Sequence, residues 1–171
     1  QAAENSCNVA FVNMGLKIGA DTMWDYYDAF GLFEKTGIDL IGESSSIWWS
    51  RDVFCDKDNY AQLAAASFGQ TFNITPMQLI TAVSAAVNGG YLMEPYVVSE
   101  ITDVNGNVVK SVEPTVRRQV ISEETSATVR TILQSVVDNG TGKNAKVPGY
   151  SIGGKTGTSE KIGQGGGSER I

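Results

Sequence analysis

The stretch Ser151-Ile152-Gly153-Gly154-Lys155-Thr156-Gly157-Thr158-Ser159 decides how this sequence is interpreted. It combines a lysine, several hydroxyl side chains and three glycines in one short run. Side chains alternate between the two faces of an extended strand, so Lys155 and Thr156 are predicted to point in opposite directions. Glycines also let a ligand approach the backbone closely. We therefore predict a strand edge that binds an anionic or carbonyl-bearing ligand by strand addition.

Two known motifs fit these letters. Residues 149–156 match the phosphate-loop pattern G-x-x-x-x-G-K-[ST], and Lys155-Thr156-Gly157 matches the K-T-G element of penicillin-binding proteins and β-lactamases. A phosphate loop needs a buried strand before it and a helix that opens at the Lys-Thr pair. Here a Pro-Gly turn at 147–150 precedes the motif, and glycine-rich sequence that disfavours a helix follows it. A P-loop nucleotide binder is therefore the weaker alternative.

The composition is that of a globular chain, and residues 1–171 are interpreted as a single partial domain. The formal charge is −6, and no basic cluster is longer than Arg117-Arg118, which argues against nucleic-acid binding. The chain has no histidine, which excludes His-based triads and most catalytic zinc sites, and we expect neither metal nor cofactor. Cys7 and Cys55 allow either one disulfide or two free thiols. No apolar stretch is long enough to span a bilayer.

Capping and breaking residues predict five helices. These run from about Ser6 to Ile18, Asp21 to Phe30, Tyr60 to Ser67, Thr75 to Asn88 and Ser122 to Asn139. The fourth has the clearest start, because Thr75 is an N-cap, Pro76 follows it and Gln78 completes a capping box. Its alanine-rich, nearly uncharged sequence predicts the most buried helix. Ser6 itself fits a plain helix N-cap, which is the alternative to any functional role.

Extended structure is predicted in two further places. Thr36–Glu43 is a short segment bracketed by glycines, and residues 97–103 and 107–112 alternate around Asn105-Gly106, a strong hairpin signal. Residues 44–58 look like a surface excursion. The Ile47-Trp48-Trp49 run within it is predicted to pin that loop, with a binding surface as the alternative. The sequence thus predicts an α+β domain dominated by helices.

Six stretches in a fixed order cover almost the whole chain: Ser6–Phe11, Thr36–Leu40, Ser67–Gln70, Thr75–Leu79, Gly140–Gly142 and Gly153–Thr158. This order resembles the transpeptidase domain of class B penicillin-binding proteins, the D-alanyl-D-alanine transpeptidases of bacterial cell-wall synthesis. Each motif alone is weak, but the ordered set is specific. The resemblance implies a penicillin-binding protein and serine β-lactamase-like transpeptidase fold, incomplete here, with a β-hairpin and a Lys-Thr-Gly strand.

The resemblance also implies a serine acyl-transfer reaction. A serine attacks the penultimate D-Ala carbonyl, D-Ala leaves, and an amine of a neighbouring stem peptide takes the acyl group. The implied partners are peptidoglycan stem peptides, β-lactam antibiotics and other cell-wall synthesis proteins. The implied location is the extracytoplasmic face of the bacterial membrane, to which a segment outside this sequence would anchor the protein.

Six site residues follow from the resemblance: catalytic Ser6, Asn8 and Lys155, and substrate-binding Thr156, Gly157 and Thr158. Ser6 would relay protons, Asn8 would bind the substrate amide, and Lys155 would supply positive charge to the proton network. The backbone N–H of Thr158 would serve the oxyanion hole. We also predict that Ser6 and Lys155 lie on opposite sides of one cleft, within hydrogen-bond reach or one bridging water.

One departure from the family pattern is decisive. The family's nucleophile lies in a Ser-x-x-Lys motif upstream of Ser-x-Asn, and no serine of this chain has a lysine three residues on. The run Thr158-Ser159-Glu160-Lys161 has the spacing but begins with threonine. We therefore expect a fragment of an active transpeptidase that is inactive alone. The alternative is a non-catalytic, penicillin-binding-like domain that binds a peptide or a partner.

Overall fold

The computed structural model describes residues 1–158 together with the backbone of 160–162 and 168–170. Within these residues the helices are α1 (Asn8–Ile18), α2 (Ala20–Ala29), α3 (Arg51–Phe54), α4 (Ala61–Ser67), α5 (Pro76–Val87) and α6 (Glu123–Asn139), and a 3₁₀ turn spans Lys143–Ala145. The strands form antiparallel pairs: β1 (Tyr91–Glu94) with β4 (Thr115–Gln119), β2 (Glu100–Thr102) with β3 (Val108–Ser111), and β5 (Glu160–Ile162) with β6 (Ser168–Arg170). The fold is α+β and dominated by helices, as predicted.

The helix starts with local capping signals form as predicted. Thr75 Oγ1 accepts a hydrogen bond from Gln78 N at 3.1 Å, and Gln78 Oε1 accepts one from Thr75 N at 2.9 Å. These reciprocal bonds satisfy N–H groups that have no partner within the helix. Ser122 caps α6 with one such bond, because its Oγ accepts from Thr125 N at 3.1 Å. Both helices therefore begin where their sequences predict.

The predicted hairpin is present but shorter than expected. The turn at Asn105-Gly106 connects β2 and β3, and the Asp103 carboxylate accepts from the backbone N–H groups of Asn105 and Asn107. Val97 and Val98 do not join the ladder, because their N–H groups donate to the carboxylate of Asp39 at 2.8 and 2.9 Å. These bonds lower the pKa of Asp39. A long-range carboxylate thus ends the strand early.

The hydrophobic core lies under the segment that was predicted to be a surface excursion. Phe54, Leu63 and Ala66 form the buried cluster. Trp48 stacks on Phe72 with ring centroids 4.1 Å apart, and its Nε1–H donates to Leu32 O at 3.1 Å. The prediction that the tryptophans pin this loop is confirmed. The prediction that residues 44–58 are a surface excursion is confirmed for most of the segment, whose residues are largely exposed, but Phe54 is fully buried and Trp49 packs against it.

The prediction that the Thr75–Asn88 helix is the most buried one is confirmed only among the long helices, because the shorter α4 leaves only Ala61 exposed. α5 buries only Gln78, Thr81 and Ala85, and it packs this stripe toward β1 and α6. Ile80 and Val83 are 55% and 45% exposed. Gln78 is buried because its Nε2–H group donates to Leu32 O and Glu34 O. An apolar sequence shows that a helix can be buried, but it does not show which faces have neighbours.

Gly90, which leads into β1, packs against the backbone where the chain enters α6. A Cβ atom at this position would lie 1.9 Å from Ile121 O, and the φ angle is +93°. We expect Gly90→Ala to lower the free energy of unfolding by about 1–3 kcal/mol more than Gly106→Ala. Gly106 is the matched control, since its φ is +83° and nothing lies within 4 Å of the added Cβ. Urea denaturation measures the difference, and equal losses would contradict the close approach.

Candidate active site

Ser6 lies just before α1 and faces a cleft. Its φ angle of +48° falls in the left-handed region, and the N-cap of α1 is Cys7 with no side-chain cap. Ser6 Oγ instead accepts a hydrogen bond from Lys155 Nζ at 2.7 Å. The interpretation of Ser6 as a plain helix cap is therefore wrong. The prediction that Ser6 and Lys155 meet within hydrogen-bond reach is confirmed.

Lys155 is held by three oxygen acceptors. Besides Ser6 Oγ, its ammonium donates to Thr156 O at 3.0 Å and to Thr156 Oγ1 at 3.2 Å. Three acceptors match the three N–H donors of an ammonium group. Burial lowers the pKa of Lys155 below the ordinary lysine value. The side chain is therefore positioned by fixed partners and gives up its proton more readily than a solvated lysine does.

The segment that carries Lys155 is not a hydrogen-bonded strand. Residues 151–158 pair with no other strand among the described residues. Single bonds to other parts of the chain hold the segment instead; for example, Gly154 N donates to Leu133 O at 3.1 Å, and Gln70 Nε2 donates to Thr158 O at 3.1 Å. The ammonium of Lys155 also contacts the hydroxyl of Thr156, although neighbouring side chains on a regular strand would point to opposite faces. The prediction that Lys155 lies on a hydrogen-bonded strand is therefore wrong for the described residues.

The P-loop alternative does not fit the observed backbone. In the described part of the chain, no strand leads directly into Gly149, and no helix begins at Lys155 or Thr156. A phosphate loop uses the N–H groups at such a helix start to hold the phosphates. Lys155 is also directed at Ser6 rather than at a cradle of backbone N–H groups. This alternative is therefore discarded.

The predicted site residues lie around one cleft of about 800 Å³. The side chain of Asn8 lines it and makes no hydrogen bond to another residue in the range 1–158, so its amide is open to a ligand. All six predicted residues line this cleft: Ser6, Asn8, Lys155, Thr156, Gly157 and Thr158. The structure thus brings together two motifs that are 149 residues apart in sequence.

The sequence analysis missed part of the cleft. Phe11 and the loop at 67–70 also line it. That loop is brought to the site by the close contact of α1 and α4, where a Cβ on Gly15 would lie 1.9 Å from Ser67 Oγ. Ser67–Gln70 is one of the stretches that carry the family resemblance, but its sequence alone assigns it no role. The motif is therefore visible in the sequence, and the structure places it in the wall of the cleft.

The cleft combines an ammonium group, hydroxyls and an amide. Lys155 is the sole charged side chain among the described residues that line it. A single cation surrounded by neutral donors suits a ligand with one carboxylate and amide groups. Within residues 1–158 no cluster of three His, Cys, Asp or Glu side chains could hold a metal ion. The lysine, serine, asparagine and threonine side chains of the cleft can transfer protons and form hydrogen bonds.

Comparison with known families agrees with this arrangement. The family model described as the penicillin binding protein transpeptidase domain matches residues 1–171. The chain belongs to this family. The resemblance read from the ordered motifs is thereby confirmed across the full sequence.

The relatives of this transpeptidase-domain chain are much longer than it is. Stage V sporulation protein D of Bacillus subtilis is 45% identical over 163 residues, which cover 95% of this chain and 25% of that protein. Penicillin-binding protein PbpB of Mycobacterium tuberculosis is 31% identical, over 94% of this chain and 24% of that protein. The chain thus spans about a quarter of the length of these curated relatives.

Solved structures show the same fold. The D,D-transpeptidase domain of a peptidoglycan glycosyltransferase from Eggerthella lenta superposes with a TM-score of 0.83 at 31% identity, covering 99% of this chain and 43% of that one. Penicillin-binding protein 3 from Mycobacterium tuberculosis, solved with aztreonam, gives a TM-score of 0.83 at 29% identity, covering 97% and 38%. The fold is therefore that of a penicillin-binding transpeptidase domain.

The two cysteines of the chain are unpaired. Cys7 is exposed at the start of α1, and Cys55 is partly buried after α3. Of the two possibilities that the sequence left open, the structure contains two free thiols rather than a disulfide. No disulfide therefore constrains the segment that carries Ser6 and Asn8.

Proposed function

We propose that this chain is part of a longer serine-type peptidoglycan D,D-transpeptidase and forms the Ser-x-Asn and Lys-Thr-Gly sides of its active site. The observation that carries the proposal is the 2.7 Å contact between Lys155 Nζ and Ser6 Oγ inside the cleft. A lysine and a serine in direct contact can exchange protons without a histidine. The family membership and the short share of the relatives' length support the same conclusion.

The proposed reaction proceeds in two steps. A serine outside these 171 residues attacks the penultimate D-Ala carbonyl of a stem peptide, and its proton passes through the Ser6–Lys155 network to the leaving amino group of the terminal D-Ala. The amine of a second stem peptide then attacks the ester, and its proton returns along the same path to the serine. The first step forms an ester and breaks a peptide bond. The second step breaks that ester and forms a new peptide bond to the amine of the second stem peptide.

The remaining cleft residues would hold the substrate. The open amide of Asn8 would pair with the stem-peptide backbone, and the hydroxyls of Thr156 and Thr158 would bind the terminal carboxylate beside the charge of Lys155. The backbone N–H of Thr158 would stabilise the oxyanion together with a donor from the nucleophile's own segment. β-Lactams would enter the same cleft and acylate the same serine. Gly157 leaves open space at this edge, since nothing lies within 4 Å of a Cβ added there.

The proposed setting is the outer face of the bacterial cytoplasmic membrane, where stem peptides are cross-linked. Stem peptides, β-lactams and cell-wall synthesis proteins are the partners that this role implies, and nucleic acid is not among them. In the part of the chain that the structure describes, no helix combines the length and the apolar character needed to cross a bilayer.

Asn8→Ala tests the substrate-binding part of this function in the longer protein. We expect D-Ala release from a stem-peptide substrate, and acylation by a labelled penicillin, to slow by about 10- to 100-fold, because a buried substrate amide would lose its partner. Asn13→Ala is the control, since Asn13 also lies on α1 but its amide donates to Val9 O on the same helix. If the unmodified protein binds stem peptide without releasing D-Ala or becoming acylated, the non-catalytic alternative is correct.

A further inference from the structure

Thr141 connects the two segments that form the cleft. It is the second residue after α6, and its backbone N–H donates to Glu4 O at 2.8 Å. Its Oγ1 lies 3.1 Å from Thr156 Oγ1. Glu4 is two residues before Ser6, and Thr156 directly follows Lys155. One residue thus contacts the neighbours of both members of the Ser6–Lys155 pair.

The segment before Ser6 is docked on the end of α6. The Glu4 carboxylate accepts a hydrogen bond from Ser135 Oγ. A Cβ atom on Gly140 would lie 2.5 Å from Glu4 O, although the φ of Gly140, −114°, suits any residue. The glycine is therefore required by the close approach of the two backbones rather than by its conformation. This docking brings the N–H of Thr141 to Glu4.

The two hydroxyls can bond in either direction, and both directions leave Thr156 Oγ1 a lone pair for Lys155. A threonine hydroxyl has one proton to donate and two lone pairs that accept. If Thr156 donates to Thr141, both lone pairs of Thr156 Oγ1 stay free, and one of them accepts from the Lys155 ammonium. If Thr141 donates instead, one lone pair of Thr156 accepts that proton and the other accepts from Lys155. In either direction the contact with Thr141 orients Thr156 Oγ1 toward Lys155.

We propose that Thr141 is a positioning residue of this site: its N–H anchors the Ser6 segment, and its hydroxyl orients Thr156 so that Lys155 stays within reach of Ser6. This proposal rests on the function proposed above. Thr141 does not line the cleft, so it acts through Thr156 and Glu4 rather than on the substrate. The Gly140-Thr141-Gly142 run, one of the stretches that carry the family resemblance, thereby gains a role in the transpeptidase site.

The test uses three variants of the longer protein, with the acylation rate by a labelled penicillin measured across pH. Thr141→Val removes the hydroxyl but keeps the shape and the backbone N–H, and we expect a rate about 3- to 10-fold lower, as for loss of one neutral hydrogen bond. Thr141→Ser keeps the hydroxyl and should retain the rate. Thr128→Val is the control, because Thr128 is exposed on α6 and donates to Glu124 O of the same helix.

The pH profile separates positioning from a general structural defect. Without Thr141 the Thr156 hydroxyl can turn its proton toward Lys155, and the ammonium then loses an acceptor. The pKa of Lys155 falls further when its charged form has fewer partners, so the alkaline limb of the profile should move to lower pH in Thr141→Val and stay in place in Thr141→Ser. A shift that appears in Thr141→Val but not in Thr141→Ser depends on the hydroxyl that faces Thr156, and Thr156 in turn contacts Lys155.

The outcomes distinguish this proposal from the proposed function. If the unmodified protein is acylated but Thr141→Val retains both its rate and its pH profile, Thr141 has no positioning role and the function stands. A lower rate with an unmoved profile also overturns the positioning role. If the unmodified protein is not acylated at all, the proposed function fails and this proposal fails with it. Thr141→Ala must reproduce the rate and the shift of Thr141→Val, which keeps the test decisive if the valine variant does not fold.

Discussion

Replacing Lys155 with alanine in the longer protein is expected to slow acylation by a labelled penicillin by about 10²–10⁴-fold, the range for loss of a general acid–base group. Lys155 Nζ lies 2.7 Å from Ser6 Oγ, and its pKa is lowered by burial, so it can pass a proton to and from that hydroxyl. Alanine removes this proton carrier. It also removes the positive charge that would bind the substrate carboxylate.

Two further variants show which of these losses matters. Lys155→Arg keeps a positive charge, but a guanidinium stays protonated and cannot transfer its proton, so we expect binding to persist while acylation stays slow. Lys57→Ala is the control, because Lys57 is an exposed lysine that does not line the cleft. Rates of adduct formation at several penicillin concentrations separate binding from acylation. An unchanged acylation rate in Lys155→Ala would contradict the role of the Ser6–Lys155 pair.

The isolated 171-residue chain is expected to form no stable covalent adduct with penicillin. No serine in it has a lysine three residues on, so no nucleophile has the neighbouring base that the family uses. Ser6 contacts Lys155, but the oxyanion hole would lack the donor from the nucleophile's segment. Loss of one such donor costs about 10²–10³ in rate. Loss of the nucleophile costs far more.

Adding back the missing segment is the matching positive experiment. A Ser-x-x-Lys segment restored in the same chain, or supplied as a separate chain, should restore labelling. Circular dichroism of the isolated chain serves as the control for folding, since an unfolded chain would also fail to react. Labelling that depends on the added segment would show that the chain supplies two motifs of a shared site.

The parts of the fold set by neighbouring residues were predictable from sequence. The capping box of Thr75 and Gln78 and the turn at Asn105-Gly106 each depend on residues within a few positions of one another. The β1–β4 pair was missed, because Leu92 and Arg118 are far apart in sequence and a register shift follows Leu92. The early end of the hairpin depends on Asp39, which local sequence around Val97 does not show.

The candidate site shows the same contrast between features set by neighbouring residues and features set by distant ones. The local sequence alone predicts that Ser6 is a helix N-cap. Only the ordered set of motifs predicts the observed contact between Ser6 and Lys155. Gln70 and Thr141 were missed as supports of the site, because their hydrogen bonds to Thr158 and Thr156 join distant parts of the chain. Motif recognition therefore found the side chains that face the cleft. The structure was needed to find those that hold them in place.

The central claim is that this chain supplies the relay serine and the Lys-Thr-Gly lysine of a transpeptidase whose nucleophile lies elsewhere. Peptide-mapping mass spectrometry of the longer protein after reaction with penicillin tests it most directly, with the isolated chain treated in parallel. We predict a penicilloyl group on a serine of a Ser-x-x-Lys motif outside these 171 residues, and no adduct on the isolated chain. An adduct on Ser6, in either sample, would contradict the account.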